Sequence, residues 1–106
     1  MNMKTFLIGE EQKLRRRKAL SANEKHKFYY LREFIQFCLK EGIDDTEKID
    51  NKIYSNYVRY LKHTKNNNER TRLDKCYVVK KFLEENACSF TPNPWRAYAR
   101  KNKNGN

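Results

Sequence analysis

Residues 21–42 read SANEKHKFYYLREFIQFCLKEG. The apolar positions Phe28, Leu31, Phe34, Ile35, Cys38 and Leu39 recur at intervals of three and four, which gathers them on one face of a helix. Tyr30 and Phe37 widen that stripe. Ser21 and Asn23 are both good N-caps, and Gly42 can take the left-handed position that ends a helix. The spacing therefore predicts a helix from residue 21 or 23 to Lys40, with its apolar side turned to a core.

The neighbouring segments repeat the pattern. An acidic loop, GIDDTEKID over residues 42–50, leads to a second predicted helix from Asp50 to about His63. Asp50 serves as N-cap, Ile49 can staple onto Tyr54, and Ile53, Tyr57, Tyr60 and Leu61 form the buried stripe. The turn-forming residues Lys65 to Asn68 interrupt it. A third helix is expected from Glu69 to Asn86, burying Leu73, Cys76, Val79, Phe82 and Leu83 and presenting Arg70, Asp74, Tyr77 and Lys81 outward. Asn93-Pro94 has the form of a helix start and predicts a short closing helix, from which Trp95 and Tyr98 fold back. Residues 10–20, with Arg15, Arg16, Arg17 and Lys18 in a row, read as a short helix or a basic arm. No strand pattern and no internal repeat appear, so the fold class is all-α. The organisation expected is a basic arm or short helix over 1–20, a helical domain over 21–99, and a linker-like tail over 100–106.

In a chain of 106 residues, 24 Lys and Arg stand against 13 acids, a formal charge of +11. Aromatic residues make up 13 %, enough to build a core rather than a disordered polyelectrolyte. Self-repulsion at that charge disfavours compaction, so the excess points to a polyanionic partner, in which each neutralised phosphate releases counterions. No run is apolar enough to span a bilayer, and Phe6 to Ile8 is too short for a signal-peptide core. Cys38, Cys76 and Cys88 lack paired ligand spacing and read as buried free thiols in a reducing compartment, so the chain is expected to be cytoplasmic and, if its partner is DNA, nucleoid-associated. A zinc site built from these with His63 is disfavoured for the same reason. The acids Asp44, Asp45, Glu47 and Asp50 lack calcium-loop spacing and are explained by charge at helix starts. Isolated glycines exclude a phosphate-binding loop, and His26 and His63 have no triad partners. Neither a catalytic residue nor a cofactor is expected.

Two of the predicted helices begin with cations. Lys25, His26 and Lys27 open the first, and Arg70, Thr71 and Arg72 open the third, with Lys75 one turn on. A helix start offers backbone N–H groups and partial positive charge to phosphate, so these seven residues are the candidate contacts to double-stranded DNA.

The chain also resembles the N-terminal core-binding domain of the tyrosine recombinases, the phage-integrase type, over roughly residues 20–98. YYLREFIQFCLKEGI is similar to that family's first long helix, IDNKIYSNYVRYL to the next, RTRLDKCYVVKKFL to the one that follows, and NPW to the start of the closing helix. The resemblance implies a SAM-like orthogonal bundle of four to five helices, two of which cross against the major groove. It implies a role in DNA recombination and integration, with a catalytic recombinase domain in cis and other integrase protomers on DNA as partners. The family's catalytic residues belong to a domain that would follow this one. Arg72 stands where the family usually carries an apolar residue, which would pass the packing role to Leu73. Asp74 would repel phosphate unless it accepts from a cytosine amino group or pairs with Arg70. Two other readings compete: a basic helical module that recruits an acidic protein, and an RNA-binding helical protein.

Overall fold

The computed structural model describes residues 1–16, 21–86 and 90–94. Among the described residues four α-helices make up the bundle: α1 (Met3–Arg16), α2 (Ala22–Lys40), α3 (Asn51–His63) and α4 (Glu69–Glu85). A single 3-10 turn, Thr46–Lys48, sits between α2 and α3. The all-helical expectation holds, and α2 packs most extensively on α4.

Local sequence sets most boundaries. Ser21 and Glu24 close a capping box at the start of α2, with the Glu24 amide donating to Ser21 Oγ at 3.1 Å. Gly42, at φ +80°, ends it in the left-handed region, where a side chain would be strained. Asp50 caps α3 by accepting from the Ile53 amide at 3.0 Å, and Asn68 caps α4 by accepting from Thr71 at 2.8 Å. The other acids of the 42–50 loop are engaged in the same local way. Asp45 accepts from the Glu47 amide and Asp44 pairs with Lys48 at 3.2 Å.

The core runs through Phe34, Ile35 and Cys38 of α2, Tyr54, Tyr57 and Leu61 of α3, and Cys76, Val79, Phe82 and Leu83 of α4. Phe34 meets the Tyr57 ring edge-on at 4.9 Å, and Phe37 lies 5.1 Å from Tyr60. Past α4, Phe90 packs on Tyr54, whose hydroxyl donates to the Asn93 carbonyl at 2.9 Å. Beyond Pro94 the expected closing helix, with Trp95 and Tyr98, lies outside the described residues, as do Arg17, Lys18 and Cys88.

The largest difference from the sequence reading is at the N-terminal end. The helix there covers residues 3–16, inside the 1–20 stretch expected as a basic arm or short helix but reaching further back than the charged run 10–20, and it joins the core through Met3 and Leu7. Phe6 stacks at a tilt on Phe82 at 5.0 Å, and the Met3 amide donates to the Asp44 carbonyl at 2.8 Å. Isolated helices of this length are marginal in water. These tertiary contacts, with the loop after α2 and the end of α4, hold it in place.

Candidate nucleic-acid interface

Of the seven candidate contacts, three stand together on the first turns of α2. Lys25, His26 and Lys27 are all exposed, and no carboxylate among the described residues pairs with either lysine. The start of α2 carries Glu24 in its capping box, so part of the local charge is offset there. Ser21 already takes the Glu24 amide and Asn68 the Thr71 amide. Each cap thus consumes a backbone donor that the sequence reading offered to phosphate. That leaves side chains, more than backbone donors, as the groups these helix starts present.

On α4 the four candidates divide. Arg70 is exposed and its Nε lies 3.3 Å from Asp74 Oδ1, an i,i+4 pair on the surface. Exposed pairs of this kind are worth little, so a phosphate can compete for the guanidinium. Thr71 is half-buried. Arg72 and Lys75 turn inward instead. Arg72 is 7 % exposed and its Nη1 donates to the Asn67 carbonyl at 2.6 Å. Lys75 is 6 % exposed, sits 2.7 Å from Glu33 Oε1, donates to Asn67 Oδ1 at 2.8 Å, and lies 5.4 Å from the centroid of the Tyr30 ring. The structure thus places both cations in internal contacts. Arg72 occupies the packing position after Thr71 despite its charge, beside an equally buried Leu73.

Three residues outside the candidate contact set, one of them the Tyr30 read as part of the apolar stripe, organise this region. Glu33 on α2 holds Lys75 and, at 3.6 Å, Lys65. Asn67 ties Arg72 and Lys75 back to the turn before α4, and its own amide donates to Leu61. Tyr30 connects the two helices, with His26 at 6.0 Å on one side and Lys75 on the other. Its place four residues after His26 is a local signal for the first contact. Nothing local announces the second. Lys25 and Arg70 each stand five residues before this meeting point, about 8 Å along their own helices.

In the core beneath these helix starts the polar groups are set for a neutral interior. Burial pushes the Cys38 thiol up to about 12, with nearby Glu41 adding to it, and burial raises Cys76 to about 11, moderated by Tyr54, Arg72 and Lys75. Burial, then Glu33, raises Tyr57 as well, and its hydroxyl has no hydrogen-bond partner among the described residues. In the unfolded chain a thiol ionises near 9. Folding therefore keeps the proton on, and the stability this contributes is complete below pH 9 and lost as pH rises toward 11–12. Each thiol steepens the loss by up to about 1.4 kcal/mol per pH unit. We expect the urea midpoint followed by circular dichroism to fall across that window, and less so in Cys38→Ala/Cys76→Ala. A flat profile to pH 11 would show that the thiols ionise freely in the fold.

A broad groove of about 1040 Å³ lies between α1, the first half of α2 and the end of α4, floored by Phe6, Phe28, Leu31 and Phe82. Four lysines and four glutamates line it, so it lacks the positive character of the rest of the chain. Among the described residues no cluster of His, Cys, Asp or Glu has the makings of a metal site, and no helix is long and apolar enough to cross a membrane. Comparisons with family models, with curated proteins and with solved structures produced no match to this chain.

Proposed function

We propose that the chain is a duplex-DNA-binding domain of the core-binding kind found in tyrosine recombinases, contacting the backbone through the starts of α2 and α4. One observation carries the reading. Lys25, His26 and Lys27 form an exposed cationic start on α2 that meets α4 through Tyr30, on a chain of net charge +11. Phosphate contacts of this sort fix position without reading sequence, and they weaken steeply with salt. In this reading the contact set is Lys25, His26, Lys27, Arg70 and Thr71, while Arg72 and Lys75 hold the start of α4 in place. Strand cleavage and rejoining would belong to a catalytic domain acting alongside, with other protomers on the same DNA.

The competing reading, recruitment of an acidic protein, finds less support. The large apolar groove has balanced charges, whereas an acidic partner would favour a cationic rim.

NMR titration with a duplex oligonucleotide at two salt concentrations tests the proposal. Shifts should concentrate at residues 23–27 and 70–71 and shrink as salt rises. Replacing Lys25 and Lys27 with Ala should lower the slope of log K on log salt by about 1 for each residue, with melting unchanged. Shifts spread evenly over all lysines, or no binding at low salt, would rule the reading out.

A further inference from the structure

On the flank of α2 away from its start, a second groove of about 420 Å³ combines aromatic rings with cations. Its floor is the tilted pair Phe37 and Tyr60, ring centroids 5.1 Å apart. Tyr29 stands at its rim, 52 % exposed, one of three exposed large hydrophobic side chains among the described residues. Arg32 and Lys40 line the same helix face, and Lys65 reaches in from the turn before α4. Among the described residues neither Arg32 nor Lys40 has a carboxylate partner, and the single acid in the groove, Glu33, is already held between Lys65 and Lys75. The groove is therefore cationic as well as aromatic.

That pairing is what an unpaired nucleotide requires. A base presents a π-face that stacks on an aromatic ring whatever its sequence, and its phosphate calls for cations alongside. Duplex DNA cannot use the groove, because its bases are stacked on one another. The cavity lies within the size range of small-ligand sites. Tyr29 and Phe37 are eight residues apart, about 12 Å along the helix, so a base can enter between them. The Gln36 amide lines the cavity within the same stretch and can offer hydrogen bonds to a base edge.

We propose that this groove binds an unpaired nucleotide of a DNA strand, with Tyr29 as its stacking platform and Arg32 and Lys40 as its phosphate contacts. The site is separate from the helix starts, and it neither needs nor implies duplex binding by them.

The test uses the whole chain, a fluorescently labelled oligo-dT strand followed by anisotropy, and a second strand carrying 2-aminopurine, whose emission is quenched on stacking. Wild-type protein should bind the first and quench the second. Tyr29→Ala should weaken single-strand binding roughly five- to hundredfold and abolish the quenching, leaving duplex affinity and melting as they were. Arg32→Ala and Lys40→Ala should each lower the salt slope by about 0.7. Unquenched 2-aminopurine, or a Tyr29→Ala protein that binds the strand as tightly as wild type, would overturn the proposal. Quenching that persists while duplex binding is absent would overturn the helix-start reading and leave this one standing.

Discussion

Lys75→Ala should lower the melting temperature by about 12 °C, an effect on the fold before any effect on DNA. The ammonium is almost wholly enclosed, 2.7 Å from Glu33 and 2.8 Å from Asn67 Oδ1. Removing one partner of a buried pair costs about 3–5 kcal/mol, chiefly because the other charge is left uncompensated. Glu33 retains Lys65 at 3.6 Å and a side-chain exposure of 19 %, which places the loss near the lower bound, about 3 kcal/mol. At roughly 4 °C per kcal/mol for a chain of this size, the shift follows. Lys75→Met keeps the packed stem and removes only the charge. Combined with Glu33→Gln it should recover most of the loss, since a neutral pair of similar shape replaces the ionic one. Thermal melts followed by circular dichroism decide the matter. An alanine variant that melts like wild type and binds duplex more weakly would show that Lys75 faces the nucleic acid after all.

The second large effect lies in the middle of the bundle. Phe34 is fully buried and packs edge-on against Tyr57, which in turn lies against Phe37 and Tyr60. Phe34→Ala removes the ring and leaves a cavity in a part of the core that three helices enclose, a change that costs about 3–5 kcal/mol. Domains of this size are stable by only about 5–15 kcal/mol, so about a fifth or more of the total is at stake. In urea the midpoint should drop with the slope unchanged, because the same surface is exposed on unfolding. A loss below about 1 kcal/mol would mean the site collapses around the missing ring.

Three of the four helices were legible because their signals are local. Ser21 with Glu24, Asp50 and Asn68 each satisfy a backbone amide three residues on, and the three-and-four spacing of the apolar side chains follows directly from helical geometry. The first helix was not, because Gly9 and a run of charges obscure a stripe carried by little more than Met3 and Leu7. What fixes that helix lies about 40 residues away at Asp44 and further still at Phe82. The candidate interface divides along the same line. Lys25, His26, Lys27 and Arg70 are exposed because of where they fall on their helices. Lys75 is enclosed because Glu33, on another helix, is there to receive it. A lysine's usual preference for solvent gives no hint of such a partner.

The placement of α1 bears on how the molecule opens. Its anchors are two buried side chains, one aromatic contact and a few hydrogen bonds to the loop after α2, while α2, α3 and α4 share the continuous aromatic core. Amide exchange partitions a protein into cooperative units of unequal stability, and sparse anchoring belongs to the weaker ones. On that basis α1 is expected to open before the other three helices, with its amides exchanging soonest. Opening of α1 would uncover Met3, Leu7 and the ring of Phe82 and would remove one wall of the α1–α2–α4 groove. The groove, walled on one side by Phe6, Glu10 and Lys13, therefore lasts only as long as α1 stays seated.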